Sequence, residues 1–228
     1  LADYPAANDF GDTVRNFYTE DIYVGYRYFE TFCPEKVMYE FGFGLSYSKF
    51  DIEILKAETV TEESKVGGAW GSHGVSIDNG TCAGKEVQIT ICVKNTGDCR
   101  GKEVVQVYVQ APQGKLGKPA RELKAFAKTK ELAPGEKQKM TLHIPVKNLA
   151  SYDDSGVTGH KSCYVSEAGA YVFHVGNSVR NTKIADVDGK GAYIVKEFCV
   201  TEALQEALAP TEAFERIVRD RAGRMEAI

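Results

Sequence analysis

Val87-Gln88-Ile89-Thr90-Ile91-Cys92-Val93-Lys94, followed at once by Asn95-Thr96-Gly97-Asp98, decides the fold of this chain. Apolar residues at every second position line one face of an extended strand, and the Asn-Thr-Gly-Asp that follows is a turn signal. The same pattern recurs outward in both directions. Phe50, Ile52 and Ile54 alternate with Asp51 and Glu53, and Val105, Val107 and Val109 with Gln106 and Tyr108. Met140, Leu142 and Ile144 alternate with Lys139, Thr141 and His143, and Tyr171, Phe173 and Val175 with Val172 and His174. Ala133-Pro134-Gly135-Glu136 and Glu167-Ala168-Gly169 supply further turns. One apolar face per strand predicts strands covered on one side only, with His143 and His174 solvated on the other. Helix-period segments do not intervene, so the pattern predicts an antiparallel β-sandwich of the immunoglobulin or fibronectin kind rather than a parallel α/β sheet.

A chain of 228 residues suits one or two domains. At this size roughly 70–75% of the unfolded surface is buried, so neither disulfides nor a metal are needed for folding. The net charge of −4 exerts no pull towards nucleic acid or anionic lipid. No apolar run approaches the roughly 20 residues that span a bilayer, and the N-terminus lacks a basic-then-apolar leader pattern. Cys33, Cys82, Cys92, Cys99, Cys163 and Cys199 form no Cys-x-x-Cys and join no His cluster, which argues against zinc. Cys92 and Cys99 could bridge a turn; the plainer reading is scattered thiols in a cytoplasmic protein. Asn79-Gly80-Thr81 fits the glycosylation pattern, which matters only in a secreted eukaryotic protein.

The flanks depart from strand alternation. Residues 1–21 read as a polar linker. Residues 22–29 and 37–41 read as short extended pieces, and Gly42, Gly44 and Ser46 mark an irregular loop. The aromatics of Tyr23–Phe29 and Phe41–Tyr47 have no preceding core of their own to cover, so they read as a junction in a larger protein and are expected to be partly exposed. Thr61–Thr81 carries five glycines and the single tryptophan, Trp70; a loop of that length is uncommon in a compact domain. In the tail, Thr201 predicts the cap of a helix over Glu202–Leu208, and Pro210-Thr211 the start of another carrying Phe214, Ile217 and Val218 on one face. The expected division is a junction segment (1–49), a sandwich domain (50–200) and a helical linker (201–228).

The residues offer little chemistry. Asp153-Asp154 could pair as acid and base, but adjacent carboxylates in a loop more commonly cap backbone N–H groups. His73 lies in the glycine-rich loop without a Ser or Cys partner at a recognisable spacing. Asp186, Asp188, Gly191 and Glu197 fit positions of a calcium loop, but Lys190 would place a cation beside the metal, and a loop followed by a strand is the simpler reading. Trp70 offers a flat face that could stack on a sugar, but pinning the loop to its own domain is the plainer reading. It is the one candidate substrate-binding residue, with no catalytic residue, metal or cofactor assigned.

Tyr23-Val24-Gly25-Tyr26-Arg27-Tyr28-Phe29, then Phe41-Gly42-Phe43-Gly44-Leu45-Ser46-Tyr47, resembles the junction that follows the α/β sandwich domain of glycoside hydrolase family 3 enzymes. Val93–Gly97, Gly101–Tyr108, Pro119–Phe126, Leu132–Glu136, Ser151–Asp153 and Val175–Ser178 resemble that family's fibronectin type III-like domain, in order, across residues 22–178. Glu40 stands where the family usually has Pro, and Phe43 where it often has His. The resemblance implies a retaining β-glucosidase, with a carboxylate nucleophile and a second carboxylate acting as acid and then base. Both belong to domains whose motifs do not occur in these residues. The resemblance therefore implies an accessory region whose partners are the remaining domains of the parent glycosidase and its β-glucoside or oligosaccharide substrate. A helical tail resembles the lead-in to a barrel in a permuted domain order. A stand-alone carbohydrate-binding or adhesion module is the competing reading; it calls for an exposed row of aromatics on one sheet face, where the outward positions here are mostly Gln, Thr, Lys and His.

Overall fold

A computed structural model describes residue 4 and residues 11–14, 17–61, 84–206, 215–219 and 225–227, the last three as backbone. A short helix, α1 (Tyr26–Phe32), precedes thirteen strands among these residues: β1 (Phe50–Thr61), β2 (Lys85–Asn95), β3 (Val104–Gln110), β4 (Glu122–Lys128), β5 (Lys137–Pro145), β6 (Ser151–Asp153), β7 (Cys163–Ser166), β8 (Gly169–Gly176), β9 (Thr182–Ala185), β10 (Tyr193–Val195), β11 (Cys199–Ala203), β12 (Ile217–Arg219) and β13 (Met225–Ala227). One sheet runs β1-β2-β5 and a second β10-β8-β3-β4, with β9 also on β8. A small sheet runs β11-β7-β6, and β12 pairs with β13. All these pairings are antiparallel.

The alternation read from the sequence builds the core. Val87, Ile89, Ile91 and Val93 of β2 are fully buried, and they meet Val105, Val107, Tyr171, Phe173, Val175, Leu142 and Ile144 in one cluster between the two large sheets. In β1 the register slips between Ile54 and Lys56. That bulge leaves Leu55 exposed and returns Ala57 to the buried side, so a twelve-residue strand keeps its inner face despite a break in period.

Four expectations are corrected. Tyr26–Phe32 is helical, not extended. Gly25, at φ 61°, turns the chain into the helix, and the helical period sends Tyr28 and Phe32 towards Tyr23 while Tyr26 stacks elsewhere. These tertiary contacts override the strand preference of aromatic residues. Residues 37–41 form no strand.

Among the described residues the tail holds strands where helices were expected; Leu208, Pro210, Thr211 and Phe214 lie outside them. Cys199–Ala203 adds to the open edge of β7, Thr201 Oγ1 donates to the Tyr164 carbonyl at 3.1 Å, and the Leu204 amide donates to the Ser162 carbonyl at 2.8 Å. Edge pairing outweighs the helix propensity of the Ala, Leu and Glu residues here. Ile217 and Val218 lie in β12; the Ile217 amide donates to the Thr19 carbonyl at 2.8 Å, and the Ile217 side chain is buried with Tyr23, Tyr28 and Cys33.

The strands are not covered on one side alone. Gln106 and Tyr108 of β3 and His174 of β8, on what reads as the polar face, are buried. His143, by contrast, stays exposed beside Glu86. Finally, Tyr23 and Tyr28 are buried within the chain, so part of the expected exposure of the aromatic junction is absent.

Candidate functional site: an aromatic arc pinned on the sandwich

The segment from α1 to Gly42 covers the outer face of the second sheet. Tyr26 stacks on Phe41 at 4.6 Å between ring centroids and meets the edge of Tyr108 at 6.0 Å. Its phenol oxygen accepts a hydrogen bond from the Leu123 amide at 2.8 Å, beside the bulge where the β3–β4 register slips between Val107 and Tyr108. Burial is the main reason that Tyr26 and Tyr108 titrate above the ordinary tyrosine range. Thr31 Oγ1 accepts from the Ala120 amide at 2.9 Å, and Arg180 Nε donates to both oxygens of Glu30, at 3.0 and 3.1 Å.

The chain is then clamped on the turn after β8. The Phe41 carbonyl accepts from the Val179 amide at 2.9 Å, and Glu40 Oε1 accepts from the Ser178 hydroxyl at 2.9 Å. Glu40 therefore has a definite partner. Gly42 has φ +91°, and a Cβ there would sit 2.8 Å from both Gln106 Nε2 and the Ser178 Cα. Only glycine fits that approach.

At the far end, Ser48 is buried again and donates to Asn95 Oδ1 at 2.6 Å. Asn95 joins three turns: Oδ1 also accepts from the Gly97 amide at 3.0 Å, and Nδ2 donates to the carbonyls of Cys99 and Leu132 at 2.8 and 2.9 Å. A Cβ at Gly97 would lie 2.6 Å from the Lys49 amide nitrogen, which is why this turn needs glycine.

Between these anchors Phe43, Leu45 and Tyr47 project outward, with Leu45 95% and Tyr47 98% exposed. Met38 and Tyr39 are also exposed, and Tyr39 packs on Phe43 at 4.9 Å. The stretch is thus apolar, exposed and anchored at both ends.

The remaining polar groups are committed to structure. Asp153 is fully buried and its two oxygens accept five hydrogen bonds from Ser155, Gly156, Val157 and Thr158. Burial alone would raise its pKa, but the bonds from Thr158, Gly156 and Ser155 outweigh it and hold the group below the usual carboxylate range. Asp154 and Asp21 both pair with Arg216. Asp186 Oδ1 accepts from the Gly191 amide at 2.6 Å and Asp188 Oδ1 from the Thr59 amide at 2.9 Å, which gives the calcium-like spacing a backbone role. No group of three or more potential metal ligands occurs among the described residues. Trp70, His73 and Asn79 lie outside the described residues.

The sequence places Glu167 in a turn but gives no sign that it pairs with Lys118. Their Nζ–Oε2 ion pair, at 2.7 Å, is nearly inaccessible to solvent, with side chains 3% and 9% exposed. Glu167 Oε1 also accepts from the Lys115 amide at 2.6 Å, so the pair fixes the 111–119 loop on the β7–β8 turn. Burial lowers the Lys118 pKa, and Glu167 opposes that shift. Gly and Pro beside Lys118 are the one signal the sequence gives, and they mark a turn, not a buried charge.

Residues 103–179 match the model of the fibronectin type III-like domain family. A β-glucosidase of Ruminococcus albus is 42% identical over 223 residues, covering 98% of this chain and 20% of the relative. A β-glucosidase structure from Paenibacillus barengoltzii superposes with a TM-score of 0.82 at 50% identity, covering 100% of this chain and 23% of that one. β-Glucosidase 3B of Thermotoga neapolitana, solved with glucose, gives a TM-score of 0.61 at 35% identity over 88% of this chain and 24% of its own. The chain thus spans a fifth to a quarter of the length of the relatives it matches most extensively. By sequence and by fold it is a relative of one segment of β-glucosidases, organised around a fibronectin type III-like domain.

Proposed function

We propose that this chain acts as the accessory region of a family 3 β-glucosidase, in which other domains hydrolyse terminal β-D-glucosyl residues with retention. Its role is to seat those domains on the arc Phe43–Tyr47 and to brace them through the sandwich. The observation that carries this reading is the arc itself, apolar and almost wholly exposed at Leu45 and Tyr47, yet clamped at Phe41–Gly42 and Ser48. A retaining site needs two carboxylates about 5–5.5 Å apart flanking a sugar. Asp153 and Glu167 are instead saturated by local donors, and a recess of about 520 Å³ lined by Gln113, Lys115, Thr158, Glu167 and Phe198 takes in neither Asp21 nor Asp154.

The division into a junction to residue 49, a sandwich to residue 200 and a connecting tail is part of this reading, as are the β-glucoside substrate and the parent's other domains as partners. Cytoplasmic residence is supported by five free thiols among the described residues. No helix among those residues is long and apolar enough to cross a membrane. The test is an assay of the 228-residue chain with a chromogenic β-glucoside. The accessory role predicts no turnover above buffer; measurable turnover removed by a carboxylate substitution within this chain would refute it.

A further inference from the structure

Strands β6, β7 and β11 place three side chains in one row across the small sheet. Tyr152 stands opposite Tyr164, and Tyr164 stands opposite Glu202. Directly paired residues share a face, and strands lie about 4.8 Å apart, so the row runs roughly 10 Å. Both tyrosines are about two-fifths exposed, and their ring centroids are 5.2 Å apart with planes tilted by 52°. Their neighbours along β7, Cys163 and Val165, point into the protein. The Glu202 carboxylate and the two phenol hydroxyls have no hydrogen bond or ion pair among the described residues. Thr201 Oγ1 donates to the Tyr164 carbonyl at 3.1 Å and fixes the strand that carries Glu202.

We infer that Tyr152, Tyr164 and Glu202 form a binding platform for a carbohydrate chain, specifically a β-glucan, separate from any hydrolytic site. Solvated aromatic rings offer apolar faces to the axial C–H bonds of a pyranose. The carboxylate beside them accepts hydrogen bonds from vicinal hydroxyls, and the phenols can donate or accept. With a carboxylate and no cation in the row, the platform fits a neutral polyol and disfavours an anionic glycan, nucleic acid or acidic peptide. Its length suits two sugar rings, and the inclination of the two ring planes suits a twisted chain. Arg216, with Asp154 and Asp21, closes the neighbouring surface by ion pairs of its own. The choice of glucan rests on the β-glucosidase reading above; the platform itself rests on the row.

The experiment is affinity electrophoresis of the full chain in native gels containing barley β-glucan, with xylan and polygalacturonate gels as comparisons. The expected result is retardation in β-glucan, weakened about tenfold or more by Tyr152→Ala or Tyr164→Ala and about threefold by Glu202→Gln. Tyr164→Phe keeps the ring and should retain most of the binding, which separates a lost platform from a lost fold; the thermal midpoint of each variant checks the same point. No retardation in β-glucan, retardation unchanged in the Tyr152→Ala/Tyr164→Ala double variant, or stronger retardation in polygalacturonate overturns the inference. Preference for xylan at the same tyrosines overturns the glucan assignment. None of these outcomes bears on turnover by the chain, which is what refutes the accessory reading.

Discussion

The phenol of Tyr26 accepts a hydrogen bond from the backbone amide of Leu123 at 2.8 Å, across 97 residues of sequence. This contact ties the junction helix to the sheet at the bulge in the β3–β4 pairing, where the ladder leaves an amide to be satisfied. Tyr26→Phe removes the acceptor but keeps the ring on Phe41 and Tyr108. It should cost about 1–2 kcal/mol, the penalty of an unsatisfied, part-buried amide, and lower the thermal midpoint by roughly 2–8 °C for a chain of this size. Calorimetry of the two proteins checks it.

Asn95 is the better measure of the turns. Its side chain is fully buried and makes four hydrogen bonds, two as donor to carbonyls. Asn95→Asp replaces those donors with a second oxygen facing the carbonyls of Cys99 and Leu132, and adds a buried charge. It should destabilise by about 3 kcal/mol or more and exceed Asn95→Ala, even though it is the closer isostere. Urea unfolding of both variants tests the order.

The Lys118–Glu167 pair makes a third prediction. Removing either partner leaves an uncompensated buried charge, so Lys118→Met and Glu167→Gln should each cost about 3–5 kcal/mol. The double replacement Lys118→Met/Glu167→Leu should recover much of that loss. A double-mutant cycle by urea unfolding measures it; fully additive losses would contradict the pairing.

The pH dependence of stability follows from His174. Burial first, and the nearby Arg121 charge second, push its pKa down to about 4. The folded pKa lies below the ordinary histidine value, so between about pH 6.5 and pH 4 the unfolded chain binds a proton that the native protein does not. Stability should therefore fall as pH drops through that window, by on the order of 2 kcal/mol, and His174→Gln should flatten the fall. Asp153, held below its ordinary value by local donors, adds its own loss below about pH 4, where the native carboxylate is finally protonated. Urea midpoints measured from pH 7 to pH 3 separate the two.

How far the sequence revealed this molecule depends on which physical signal carried each part. The core strands were legible because burial on one face imposes period two, as Val87, Ile89, Ile91 and Val93 show. The second cover was not legible. Gln106, Tyr108 and His174 read as outward because they are polar, yet Tyr26, Phe41 and Gly42 arrive from sixty or more residues away to bury that face. Residues 22–29 read as extended because aromatic density resembles a strand, yet the helix Tyr26–Phe32 begins among them; the tail reads as helical because Ala, Leu and Glu favour a helix until an open edge of β7 competes. For the candidate surfaces, Phe41–Tyr47 stands out in the sequence by its aromatics and glycines, whereas the clamps at Ser178 and Asn95 and the row Tyr152–Tyr164–Glu202 depend on strand register, which composition does not contain. Asp153 fulfilled the capping role expected of adjacent loop carboxylates.

The central claim is that the exposed arc seats the catalytic part of a β-glucosidase. The most direct measurement is a titration of this chain into the Ruminococcus albus β-glucosidase produced without its matching segment, with binding read by calorimetry. The account predicts saturable, one-to-one binding that the triple variant Phe43→Ser/Leu45→Ser/Tyr47→Ser weakens at least tenfold while its own thermal midpoint stays within a few degrees. Equal binding by the triple variant, or no binding by the unaltered chain, would contradict it.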